Sequence, residues 1–298
     1  MTPTPALAGI GYGLLAYVMW GFFPLYFRQL AGVAPIAILS HRTAWAFVFV
    51  AVLLTVGRRW DKVAAICRAP RHLARLSLAA LLLGSNWLGF LWAVDRHQVV
   101  AASLGYFLTP LVNVLLGMLV LKERLNGKET LAIALAVVAV GNELIALGTL
   151  PWISLFLAVT FGCYGLLRKQ VPVDAISGLW LETLAMLPFC LILSTWLGSG
   201  GDFDFGRFSG STAALLVGAG VVTALPLIAF AAATRRLDLA TVGMLMYINP
   251  TLQFLTAVLL FDEPLQPARL LSFGLIWLGL LLFSWSMWGK LRGQASAA

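Results

Sequence analysis

Residues 103–125, SLGYFLTPLVNVLLGMLVLKERL, and residues 241–265, TVGMLMYINPTLQFLTAVLLFDEPL, read as two copies of one apolar helix. At an offset of 140, Pro110 falls on Pro250, Glu123 on Glu263 and Leu125 on Leu265. Each copy begins with small and aromatic residues, carries a mid-helix proline followed within a turn by an amide (Asn113 or Gln253), and ends on acidic-x-Leu. The same offset sets Arg42-Thr43 over Glu182-Thr183. Both copies are continuously apolar where the strands of a barrel would alternate, so they read as membrane helices.

Outward from these copies the whole chain has the same character. Residues AVILMFWYC make up 61% of 298 positions, 11% are charged, and the mean hydropathy is +0.93. An ordinary soluble domain is nearer a quarter charged, which excludes a water-soluble reading. A hydrocarbon core about 30 Å thick needs roughly 20 apolar residues per helix. Spans are accordingly predicted near 8–27, 35–56, 76–94, 101–121, 130–148, 151–167, 177–197, 213–232, 239–261 and 268–288, the sixth being short. The expected fold is an all-α integral membrane protein of ten transmembrane helices. The amino-terminal run lacks a basic leader and a cleavage site, and reads as a retained first span.

Formal charge is +8, but the cations lie in short connections between apolar runs, where they set orientation rather than recognise nucleic acid. With the amino terminus inside, fifteen of the twenty Lys and Arg residues fall in inner connections and the carboxyl tail. Arg28, Arg96, Arg207 and Arg269 fall outside, and Arg42 lies within a span. That bias predicts an even number of crossings and two cytoplasmic termini in the inner membrane. Five spans separate equivalent positions, and five is odd, so the copies must enter from opposite sides. An inverted repeat is expected, with halves at 1–148 and 149–298. The six-cation connection after span two then corresponds to the outer connection GSGGDFDFGRFSG at 198–210, which holds Asp202, Asp204 and one Arg.

A charge at mid-membrane costs about 2.5–3.5 kcal/mol on insertion scales, which singles out His41, Arg42 and Glu182. Arg42 lies about seven residues into span two and Glu182 about five into span seven, at levels roughly 10 Å apart along the membrane normal. The functional reading places both on one central cavity, Arg42 meeting anionic or carbonyl groups of a substrate and Glu182 taking a coupling proton or a substrate amine. The structural alternatives are that Arg42 snorkels to headgroups, that Glu182 pairs locally, and that His41 satisfies a backbone carbonyl.

Prolines 24, 110, 188, 226 and 250 are expected to interrupt spans and free backbone groups for a cavity. Asn86, Asn113, Asn249 and Gln253, with Trp20, Trp45, Trp87, Tyr106 and Tyr247, could line it. Interhelical hydrogen bonding and core packing are the other uses of such residues. Trp60, Trp152, Trp196 and Trp288 fall near span ends, as interfacial anchors do. Gly9 and Gly13, and Gly218 and Gly220, permit close helix approach. Cys67, Cys163 and Cys190 form no CxxC pair, and the three histidines lie too far apart for a metal site. No metal or other cofactor is expected.

Together the segments AYVMWGFFPLYF (16–27), LSHRTAWAF (39–47), SNWLGFLWAVDRHQVVAASLGYFLTPLVNVLLGMLVLKERL (85–125), FGCYGLLRKQVPVDAISGLWLETL (161–184) and YINPTLQFLTAVLLFDEPL (247–265) resemble the RarD branch of the EamA-type drug/metabolite transporter superfamily. The resemblance covers nearly the whole chain. It implies two inverted five-helix repeats, a cavity between them, and alternating-access export of small metabolites or drugs, with a name-level link to chloramphenicol. It brings no binding signature to transfer onto particular residues. No GxxxxGK[ST] loop is present, so transport would draw on a gradient or exchange. A membrane-embedded enzyme would need a nucleophile–base pair or metal ligands, and no HExxH, GxSxG or Cys/His group appears. A non-transporting scaffold would need neither inverted halves nor intramembrane charges. The partners expected are a small-molecule substrate, protons as coupling ion, and membrane lipids.

Overall fold

A computed structural model describes residues 5–96, 98–148, 152–197, 208–260 and 267–296, and among these the chain is helical with no strand. The helices are α1 (Pro5–Gly21), α2 (Phe23–Arg28), α3 (Pro35–Val56), α4 (Trp60–Cys67), α5 (Pro70–Asp95), α6 (Val99–Leu119) and α7 (Gly127–Leu147). They continue with α8 (Trp152–Gln170), α9 (Ala175–Leu197), α10 (Gly210–Thr234), α11 (Leu239–Met246), α12 (Ile248–Leu260) and α13 (Pro267–Ser296). Taking α1 with α2 and α11 with α12 as single stretches, nine among the described residues are long and apolar enough to cross a membrane.

The sixth predicted span is the exception. It forms α8, 19 residues or about 28 Å, but its sequence carries Ser154, Thr160, Arg168, Lys169 and Gln170. The physical reason is its position: α8 packs against α5 and α6, and buries Ser154, Thr160, Tyr164 and Arg168. A helix enclosed by other helices has no need of an apolar surface all round.

Only two of the five prolines break a helix. Pro250 has no N–H for the Met246 carbonyl, and the helix ends at Met246 before resuming at Ile248. Pro24 similarly starts α2 after a break at Phe22. Pro110, Pro188 and Pro226 stay inside unbroken helices. The carbonyl that Pro24 leaves without its usual donor is that of Trp20, and the Gln253 side-chain amide donates to it at 3.4 Å. The same nitrogen donates to Asn249 Oδ1 at 2.8 Å.

Packing follows the sequence offset. Helices α3 and α9, α6 and α11, and α7 and α13 lie against one another, each pair joining positions 140 apart in the chain. Tyr247 even donates its hydroxyl to the carbonyl of Phe107, its own counterpart, at 3.2 Å. The α7–α13 pair is tight and polar at both ends. A Cβ on Gly279 would lie 2.9 Å from the Ala132 carbonyl, and Asn142 donates to Ser272 at 2.9 Å. Asn126 caps α7 with a reciprocal Glu129 contact, and Glu129 pairs with Lys290 at 2.6 Å. Gly9 and Gly13 seat α1 against Leu237 and Leu245, the close approach their spacing predicts.

Candidate functional site

Arg42 sits about 10 Å from the amino-terminal end of α3, where α2, α5 and α10 each bring a residue against it. Its guanidinium carbon lies 4.2 Å from the Trp87 ring centroid on α5 and 5.7 Å from that of Phe27 on α2. Its Nε donates to Thr223 Oγ1 on α10 at 3.2 Å. Among the described residues no carboxylate lies within 4.0 Å of Arg42. A cation stacked on an aromatic face and bonded, among the described residues, through Nε alone keeps its two terminal nitrogens for an incoming acceptor.

Glu182 is placed elsewhere. It pairs with Arg168 on α8, Nη1 to Oε1 at 3.1 Å, with both side chains almost wholly buried at 1% and 0% exposure. Tyr164 donates to its other oxygen at 3.2 Å. Gly178 makes room for the guanidinium, since a Cβ there would collide with Arg168. Arg168 is therefore an internal charge, and the orientation count that treats it as a solvated cation misses its partner. Asp174 lies just before α9, where its carboxylate accepts the Ser177 N–H at 3.2 Å. Partial burial would raise its pKa, but Ser177, with Lys62 and Arg59 nearby, outweighs that and holds it below the ordinary carboxylate value.

The remaining predicted residues divide by surroundings. Trp20 belongs to an aromatic cluster with Tyr17, Phe161 and Phe230, at centroid distances of 5.7, 5.8 and 5.8 Å. Tyr106 packs with Phe90 at 6.3 Å. Asn86 binds α8, donating to the Leu157 carbonyl at 2.8 Å and to Thr160 at 2.9 Å. Gln253 donates to Asn249 and to the Trp20 carbonyl, while Tyr247 is buried at the α11–α12 break itself. His41 is buried with its ring edge toward Phe208 at 6.0 Å. Trp45 is partly buried, its backbone pressed against α10 at Gly220. Asn113 is wholly buried beside Gly162, Gly165 and Gly243, and neither amide atom has a hydrogen-bond partner among the described residues.

Sequence reasoning used Glu123 only as a repeat marker. Its carboxylate accepts the Leu239 N–H at 2.7 Å and the Ala240 N–H at 3.0 Å, capping α11, whose own preceding residue Asp238 makes no side-chain cap. Lys169 reaches the same carboxylate at 3.7 Å and donates to the Leu237 carbonyl, joining the ends of α6 and α8 to the α10–α11 turn. The legible signal is an acid just past a helix end in both copies. Glu123→Ala is expected to lower stability by about 1–2 kcal/mol, and Glu123→Gln by less because an acceptor oxygen remains. Thermal unfolding in detergent reads the difference; equal melting for all three proteins would deny the cap any weight.

Of the sequence features outside this set, His97, Asp202, Asp204, Arg207 and Glu263 lie outside the described residues, and of Trp196 only the backbone is described. Among the described residues, no group of three His, Cys, Asp or Glu side chains could hold a metal.

Comparison with known proteins gives a consistent result. Residues 7–141 match the EamA-like transporter family. The chain is 46% identical over 286 residues to an uncharacterized transporter of Vibrio cholerae, covering 95% of each. It is 42% identical over 275 residues to Protein RarD of Salmonella typhi, covering 92% of this chain and 94% of that one. It is also 34% identical over 291 residues to the chloramphenicol-sensitive protein RarD of Pseudomonas aeruginosa, covering 96% and 97%. A solved crystal structure superposes with a TM-score of 0.71 at 18% identity, over 95% of this chain and 98% of that one, a likeness of fold alone.

Proposed function

Because the chain belongs to the RarD branch of the EamA-type drug/metabolite transporter superfamily, and is thus a multi-pass membrane transporter rather than an enzyme, we propose that it exports small metabolites or drugs by alternating access. In this reading α8 is the tenth crossing, residues 1–148 and 149–298 are inverted halves, and both termini face the cytoplasm from the inner membrane. The observation that carries the reading is Arg42, a mid-span cation stacked on Trp87 with no carboxylate partner among the described residues. Its free nitrogens suit a substrate carboxylate, sulfonate or carbonyl oxygen. Phe27 and Trp87 around it suit a flat or amphipathic body, and chloramphenicol-like compounds belong among the substrates to test.

The clamp of Glu123 and Lys169 lies on the side to which charge bias assigns the cytoplasm. It supports a conformation closed on the inside. The coupling proton is assigned to Glu182, which would have to leave Arg168 to accept it.

Transport into proteoliposomes tests the assignment of Arg42. A hydrogen bond to a charged group is worth about 1.5–3 kcal/mol, so Arg42→Ala should lower uptake of an anionic substrate about 10- to 100-fold. Arg42→Lys should recover part of it. Wild-type rates in a folded Arg42→Ala protein would remove Arg42 from the site.

A further inference from the structure

Helices α3, α5 and α9 enclose a cavity of about 230 Å³ that shares a wall with the Arg42 site. The wall is Trp87, one ring that lines the cavity and also carries the Arg42 guanidinium 4.2 Å from its centroid. The floor is buried, formed by Leu39, Ala80, Met186 and Cys190. The rim is Leu81 and Phe189, 54% and 59% exposed on helices that face the bilayer.

The internal repeat explains why the space exists. At the offset of 140, the α5–α9 contact corresponds to the contact between α10 and α3. There Gly220 approaches so closely that a Cβ would lie 2.4 Å from the Trp45 backbone. The counterparts of Gly220 and Trp45 are Ala80 and Ala185, and both line the cavity. One half thus closes by backbone contact where the other leaves an apolar space, opening toward lipid and ending at the ring under Arg42.

We propose that this cavity seats the apolar group of an amphipathic anion whose charged group is held by Arg42, reached sideways from the bilayer between α5 and α9. The assignment rests on the reading of Arg42 given above and names the substrate class that follows from it. An apolar cavity of about 150 Å³ takes a benzene ring, so this one takes about nine carbons. Neutral chains lack the head group that Arg42 recognises.

Binding of n-alkanesulfonates from four to twelve carbons to the full-length protein in lipid nanodiscs tests this, with 1-alkanols as uncharged controls and affinity expressed on the free aqueous concentration. In the wild type, affinity for the sulfonates should rise about fourfold per methylene while the chain fills the cavity. Gly84 lines the cavity and has only Met186 within 4 Å of an added Cβ, so Gly84→Leu should fold and fill part of the space. The four added carbons occupy cavity volume, so Gly84→Leu should weaken binding of the nine-carbon sulfonate by about tenfold or more and change the four-carbon one little. Arg42→Ala should abolish the preference for sulfonates over alkanols at every length.

Two results overturn the proposal: alkanols binding as well as sulfonates, or Gly84→Leu binding the nine-carbon sulfonate as tightly as the wild type. The last, with Arg42→Ala still losing the short sulfonates, rejects the cavity and retains Arg42 as the charge site. Sulfonates of every length binding Arg42→Ala and wild type equally reject the Arg42 reading itself.

Discussion

Arg168→Met and Glu182→Leu are each expected to destabilise the protein by about 3–5 kcal/mol, because either change strands one charge in the interior. The pair has no solvent to fall back on: 1% and 0% of the two side chains are exposed, and the Arg168 Nε makes no hydrogen bond. Removing both charges together should restore most of the loss, since apolar side chains of similar volume replace a buried ion pair at little cost. Thermal unfolding of the two single variants and the double variant measures the coupling. A double variant no more stable than the singles would mean that shape, not charge, is what the site requires. The double variant also separates stability from transport. It should fold, keep solute exchange, and lose transport driven by a pH gradient if Glu182 carries the coupling proton; unchanged pH-driven transport would take that role away.

Gly220→Ala should have the second large effect. The added carbon would lie 2.4 Å from both the carbonyl carbon and the Cβ of Trp45 and 2.5 Å from the Ala46 nitrogen, so α3 and α10 must move apart. Overpacking of this kind costs about 1–3 kcal/mol. Arg42 on α3 and Thr223 on α10 share a hydrogen bond across the same contact, so transport should fall beyond what the lost stability explains. Gly218→Ala is the informative neighbour. Its Cβ would meet only the Tyr26 ring end, nearest the hydroxyl at 2.6 Å, which can swing away at the loss of one hydrogen bond. Gly141, with nothing within 4 Å, should tolerate alanine or gain about 0.5–1 kcal/mol. Equal responses at 218 and 220 would show that the α3–α10 contact is softer than its geometry implies.

What the sequence made legible was mostly what periodicity and composition control. Apolar length gave the helices, whereas the packing of α3 on α9, α6 on α11 and α7 on α13 is seen only in three dimensions. The spacing of Gly9 and Gly13 was readable because a missing side chain has one main use in a helix contact. The ends of charged side chains were not readable. Arg168 looks like one of many inner cations, and only three-dimensional proximity brings it under Gly178 to Glu182, two turns into the next helix. Glu123 is similar, since its partners, the amides of Leu239 and Ala240, are more than a hundred residues away and carry no side-chain signal. The prolines were overread. A proline ends a helix only where the surrounding contacts favour the bend, which holds at Pro24 and Pro250 and not at Pro110, Pro188 or Pro226.

The Gln253 amide, shared between the Trp20 carbonyl below one proline and Asn249 beside another, ties two joints into a single linkage. If α12 swings about Tyr247, the α1–α2 elbow must follow or surrender the donor to its freed carbonyl. The first span and the ninth would then flex in step, like two knuckles held by one tendon.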